Sequence, residues 1–250
     1  TIKPTAGRVP TTTGGQTGDL HDPRTQIGLL ARRVDDLCLA LPLICGPDGF
    51  DASVAPVPLG DARTVDLAAL RVAFFSADGV SEPAAPIVAA VHAAAGALRP
   101  CVAAIEELRP EGIARAWPIT VGYWQSVIEG TMPAAEFYAL LRRWARFRSS
   151  MLQFMQRWDA IVCPVAALPA LPHGATRDWA ADGFARAQFI SYTVPYSLTG
   201  WPCVVVRAGT AEGGLPVGVQ IVAAPWREDV ALALARQVEA ALGGWRPPPL

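Results

Sequence analysis

Short apolar runs of strand type alternate with helical periodicities along almost the whole chain, and that alternation limits the fold to a sheet covered by helices. Strand-type runs stand at Leu70–Phe75, near Val102–Leu108, at Ala160–Cys163, at Cys203–Arg207 and at Val217–Ala223. The last two are separated by the Gly213-Gly214 turn and should pair. A helical pattern runs from Gly28 through Leu30, Val34, Leu37 and Leu41, and Pro42 should limit it. An alanine-rich helix is expected from Glu82 or Pro83 to Leu98. A final helix should begin at Glu228 and Asp229, acids that suit the positive end of the helix dipole, and close at Leu242 before Gly243-Gly244. Thr1–Asp22, rich in Thr, Gly and Pro, reads as loop, and Gly46-Pro47-Asp48-Gly49 as a turn. The expectation is an α/β fold, a mixed β-sheet covered by helices, in one domain over residues 1–250.

The clearest helix spans Thr131 to Trp158. Phe137, Leu140, Leu141, Trp144, Phe147, Met151, Phe154, Met155 and Trp158 mark its apolar stripe, and Arg142, Arg146, Gln153 and Arg157 mark a basic face that should meet water. Ser149 and Ser150 within it should bond back to helix carbonyls rather than act as nucleophiles.

Composition removes several classes of function. With 52% hydrophobic and 17% charged residues in 250, the chain can bury a core, and it is not disordered. A net charge of -1 argues against nucleic acid or anionic membrane as the main partner, since both require a basic surplus. No apolar run reaches the roughly 18 residues of a membrane span. Five cysteines without a C-x-x-C pair, and His21, His92 and His173 far apart, offer no zinc spacing, so no metal or cofactor is expected. The odd cysteine count favours reduced thiols and a cytoplasmic protein. The chain opens on Thr1 without a targeting segment, which reads as a cut end.

Catalytic motifs are missing from the sequence: there is no Gly-x-Ser-x-Gly elbow, Walker loop, Gly-x-Gly-x-x-Gly or His-Glu-x-x-His. Asp35-Asp36 and Glu106-Glu107 are adjacent pairs whose side chains point apart. Ser191 and His173 have no spacing that supports an independent hydrolase. Gln220 falls on the opposite strand face from Val217, Val219 and Ile221, and a buried amide there should serve structural hydrogen bonding.

Four segments, in order, resemble the amidase signature family. Lys3-Pro4-Thr5-Ala6-Gly7-Arg8-Val9 is similar to its Lys-Pro-Thr-x-Gly-Arg-Val stretch. Gln26–Leu37, followed by Gly46-Pro47-Asp48-Gly49-Phe50-Asp51, is similar to its Gly-Pro-Leu-Ala-Arg helix and the turn after it. Tyr192–Pro202 and Gly214–Val222 look like its last two sheet segments. Leu29 and Ser197 depart from the family's common Pro and Asn.

The resemblance implies hydrolysis of a carboxamide C–N bond by a serine nucleophile, with a second serine in a cis peptide relaying protons to a lysine base. It places all three before the Lys-Pro-Thr stretch, hence before Thr1. Lys3, the only lysine, is not the family's base, so no catalytic residue is expected within these 250 and the chain alone should be inactive. The sheet, lacking upstream strands, should be incomplete. By the same resemblance Trp124, Tyr192 and Thr193 lie near the acyl-binding cleft as substrate-binding residues, although Trp124 and Tyr192 also read as ordinary core aromatics. A small-molecule amide is then the expected partner only when the upstream half is supplied. The other reading is a non-catalytic scaffold with an amidase-like shape that forms a homo-oligomer or pairs with another chain.

Overall fold

The structure, a computed structural model, describes residues 1–12, 24–128, 130, 132–175, 187 and 189–247. His21, part of the loop expected up to Asp22, and Thr131 at the expected start of the long helix lie outside these residues. In chain order the elements are β1 (Ile2–Lys3), α1 (Val34–Ile44), β2 (Arg71–Phe74), α2 (Ala85–Leu98), β3 (Ala104–Glu107) and α3 (Ala116–Ile128). They continue with α4 (Ala134–Phe154), β4 (Ala160–Pro164), α5 (Val194–Thr199), β5 (Cys203–Thr210), β6 (Pro216–Ala223) and α6 (Glu228–Leu242).

The strands form one open mixed sheet in the order β1-β5-β6-β4-β2-β3. β4, β2 and β3 are parallel, while β1, β5, β6 and β4 pair antiparallel in turn. Successive residues of each strand face opposite layers, as the two-residue period requires. Val72, Phe74, Ala160, Val162, Val219 and Ile221 pack under α1, α2 and α6. Ala73, Ile161, Cys163 and Val222 pack under α3, α4 and α5. Both faces of the central strands are therefore buried, which explains their near-continuous apolar sequence. Alanine enrichment has a steric use: α2 crosses β5 so closely that a side chain at Gly209 would meet the Ala90 Cβ at 3.1 Å. Edge strand β3 carries the exposed Glu106 and Glu107, charges that discourage pairing with another chain.

Several local expectations need correction. The opening loop contains β1, whose Ile2 and Lys3 pair with Val204 and Cys203. Helix α1 begins at Val34 rather than Gly28, because the backbone of Leu29 is spent on two hydrogen bonds with Ile2 at 2.9 and 3.0 Å. Gly28 permits that bridge, since any side chain there would collide with the Ile2 carbonyl. Leu30, counted in the apolar stripe, is consequently 85% exposed. Pro42 does not limit α1 but sits inside its last turn, where its ring faces solvent and its missing N–H costs one bond near the end.

A further correction concerns Tyr192–Pro202, which is not a sheet segment. Residues 194–199 form α5, started by Pro195 in its first turn and ended by Gly200 at φ 71°. Helix α3 has no counterpart among the elements expected from sequence. Helix α4 ends at Phe154 rather than at Trp158, but its stripe from Phe137 to Phe154, the β5–β6 hairpin and the end of α6 at Gly243 are as expected. Ser149 and Ser150 bond back to Ala145 O at 3.1 Å and Phe147 O at 2.8 Å.

Candidate functional site

Parallel strands β2 and β4 deliver the chain to the same end of the sheet, and open α/β sheets bind ligands beyond that carboxyl end. The loop leaving β2 turns on Asp78, whose Oδ1 accepts the backbone N–H groups of Val80 at 2.7 Å and Ser81 at 2.9 Å. A short aspartate side chain closes such a turn locally. The segment entering α5 lies against this loop. Ser191 donates to the Ser81 hydroxyl at 3.2 Å, and the Tyr192 hydroxyl stands 3.0 Å from the Ser81 carbonyl and 3.1 Å from that of Ser76.

Gln220 on β6 anchors the same segment from beneath. Its Nε2 donates to the carbonyls of Pro164 and Tyr192, both at 2.7 Å. The side chain is 2% exposed and points into the layer of α3, α4 and α5, so these two bonds are what allow an amide to sit there. Burial pushes the Tyr192 phenol up from its ordinary value, and the Asp78 carboxylate adds to the shift. The hydroxyl therefore stays protonated and can donate at neutral pH. Asp78 Oδ2, and Thr120 Oγ1 on α3, are buried without a hydrogen-bond partner among the described residues.

The three residues singled out from sequence occupy one layer. Tyr192 and Thr193 share the turn into α5, and Trp124 comes from α3, which packs on α5. Tyr192 is 1% exposed and belongs to the core. Thr193 is half-buried and turns its hydroxyl back to the Ile190 carbonyl at 3.0 Å. Trp124 is half-buried and meets Trp117 edge-on, with ring centroids 6.2 Å apart.

A serine hydroxyl attacks a carbonyl only when a base removes its proton. Among the described residues no histidine or lysine hydrogen-bonds Ser81 or Ser191. His92 packs edge-on to Phe74 at 5.6 Å on the α2 side, and His173 is exposed. Lys3 donates to the carbonyls of Pro4 and Trp201. Burial lowers its pKa, with Cys203 and Glu228 acting in the opposite direction. The cluster around Tyr192 is an ordered polar wall.

Sequence reasoning missed the group that fixes the Lys-Pro-Thr stretch. Glu228 stands in the first turn of α6 as expected, and it is fully buried. Its Oε2 accepts from Arg8 at 2.9 Å and its Oε1 from the Thr5 N–H at 2.9 Å. Thr5 Oγ1 in turn accepts the Trp226 N–H at 2.9 Å, and the Arg8 guanidinium lies 4.8 Å from the Trp226 ring centroid. Buried charge must be paired, so Arg8 and an acid at the start of α6 were the available signal, but nothing in a linear reading places them together.

A family model described as Amidase matches residues 2–138 and 125–232. The chain belongs to the amidase family. The four segments that suggested the resemblance all fall within the matched span. Among curated relatives, the 6-aminohexanoate-cyclic-dimer hydrolase of Paenarthrobacter ureafaciens is 25% identical over 293 aligned residues, covering 96% of this chain and 58% of that protein. A glutamyl-tRNA(Gln) amidotransferase subunit of Thermus thermophilus is 30% identical, covering 84% and 54%.

Solved structures agree on the fold of this amidase-family chain. A 6-aminohexanoate cyclic dimer hydrolase complexed with substrate superposes with a TM-score of 0.75 at 23% identity, covering 96% of this chain and 60% of that one. The corresponding glutamyl-tRNA(Gln) amidotransferase subunit from Thermotoga maritima gives 0.77 at 18% identity, covering 95% and 57%. The chain therefore spans a little over half the length of these amidase-family relatives.

Proposed function

We propose that these 250 residues are the C-terminal part of a single amidase domain that hydrolyses carboxamide C–N bonds in the cytoplasm. The serine nucleophile, relay serine and lysine base are supplied from outside them. The observation that carries this reading is the family match along the chain combined with a composition that leaves Lys3 as the only lysine. Lys3 donates to two backbone carbonyls and not to a serine hydroxyl.

In this reading Trp124 and Thr193 offer surface to the acyl group of the substrate. Tyr192 sets the wall behind them by pinning the β2 loop through Ser76 and Ser81. An aromatic wall favours an apolar or aromatic acyl group, because burying such a group gains roughly 25 cal/mol per Å² of apolar surface.

The test is ammonia release from hexanamide and benzamide. The purified chain should show none, and hydrolysis should appear when a second polypeptide carrying a glycine- and serine-rich segment and an upstream lysine is co-expressed with it. Turnover by the chain alone, lost in Ser191→Ala, would overturn the reading. Failure of any such polypeptide to associate would favour the non-catalytic scaffold.

A further inference from the structure

A cavity of about 890 Å³ opens between the start of α1, the β5–β6 hairpin and the segment after α6. Its rim carries Arg32, Arg33, Arg207 and Arg246, although the whole chain has a net charge of -1. The acid lining it, Glu239, is already engaged: its carboxylate accepts the Val34 N–H at 3.1 and 3.2 Å and so caps α1. Among the described residues no carboxylate forms an ion pair with Arg32, Arg33 or Arg246. Arg32 stacks on Trp245 with its guanidinium 4.7 Å from the ring centroid. Arg207 is braced by Thr210 Oγ1 at 2.5 Å and by the Leu242 carbonyl at 3.5 Å.

The floor is of opposite character. Val206, Leu215 and Trp245 give the cavity its accessible apolar surface beside the arginine rim. The volume lies within the range of small-molecule sites, roughly 300–1,000 Å³. Uncompensated guanidinium groups recognise carboxylate and phosphate through paired N–H donors, and an apolar floor rewards a hydrocarbon body.

We propose that this cavity binds an amphiphilic anion, an apolar chain or ring ending in a carboxylate or phosphate. The inference rests on the charge and shape of the cavity and not on catalysis. The bound head group sits among the rim arginines and the body lies on the valine and leucine floor.

Calorimetric titration of the 250-residue chain with octanoate, octyl phosphate and 1-octanol tests it. Both anions, or one of them, should bind at one site with at least about tenfold preference over the alcohol. Which of the two binds more tightly identifies the head group. Arg33→Glu combined with Arg246→Glu should weaken anion binding by about tenfold or more. Both side chains are exposed, so the melting temperature should stay unchanged. The corresponding double lysine variant should fall between, retaining charge but losing the paired donors. Equal affinity for octanol and octanoate, no binding of either anion, or undiminished binding in the double glutamate variant would each overturn the proposal.

Discussion

Arg8 and Glu228, 220 residues apart in sequence, form an ion pair of 2.9 Å whose side chains are 1% and 0% exposed. The pair closes the N-terminal segment onto the start of α6 and, through Thr5, orients the Lys-Pro-Thr stretch. Replacing Glu228 by Gln leaves a buried guanidinium without its counter-ion, at a cost of about 3–5 kcal/mol. Urea unfolding should show this loss, and Arg8→Met combined with Glu228→Gln should cost clearly less than the two single changes summed. Additive losses would mean that the residues act independently.

Gln220 gives a second, smaller prediction. In Gln220→Met the carbonyls of Pro164 and Tyr192 lose their donor while the volume is kept. A loss of about 2 kcal/mol is expected from two buried acceptors left unpaired. An unchanged denaturation midpoint would show that both carbonyls find other donors.

Tyr192→Phe tests the wall behind the candidate cleft. The ring stays in the core, but the hydroxyl contacts to Ser76 and Ser81 disappear. Stability should fall by about 1 kcal/mol. Amide exchange at Val80 and Ser81 should quicken as the β2 loop loses its tether, whereas exchange in β5 should not change. Equal acceleration throughout the chain would contradict a local pinning role.

Alkaline pH should destabilise the fold through Cys203. Burial pushes this thiol up to about 11 from its ordinary 9.0, with Lys3 pulling it down. A pKa raised on folding contributes stability that is full below the unfolded value and lost as pH rises through the folded one. About 2 kcal/mol should therefore disappear between pH 9 and 11, and Cys203→Ala should flatten that part of the curve. Lys3 has the opposite sign, since its lowered pKa makes neutralisation toward pH 10.5 stabilising. Cys203 and Lys3 interact, so the difference between parent and variant reports the thiol together with its coupling to Lys3. Parallel curves under reducing conditions would refute the assignment.

The legible parts of the fold were those in which periodicity and burial coincide. The stripe of α4, the runs of β2, β4, β5 and β6, and the glycine-ended α6 could be read because each presents an apolar pattern to a layer that buries it. The misread parts were those in which backbone partners overrode pattern. Leu30 continues the α1 periodicity on paper, yet the Leu29 bridge to Ile2 holds residues 28–33 out of the helix. Tyr192–Pro202 reads as a sheet segment through its resemblance to the family, yet Pro195 and Gly200 bracket a short buried helix.

The candidate site divides in the same way. Motif order alone pointed to the amidase family, and Gln220 was recognisable as a structural amide, because both follow from residue type at a given spacing. Which acid neutralises Arg8, which loop Tyr192 holds and how four arginines gather around one cavity depend on contacts between residues far apart in the chain. Residue type and local spacing therefore decided the class of fold and its family, whereas only the packed chain decided where buried charges and hydroxyls find their partners, because desolvation makes those pairings obligatory and chain order does not encode them.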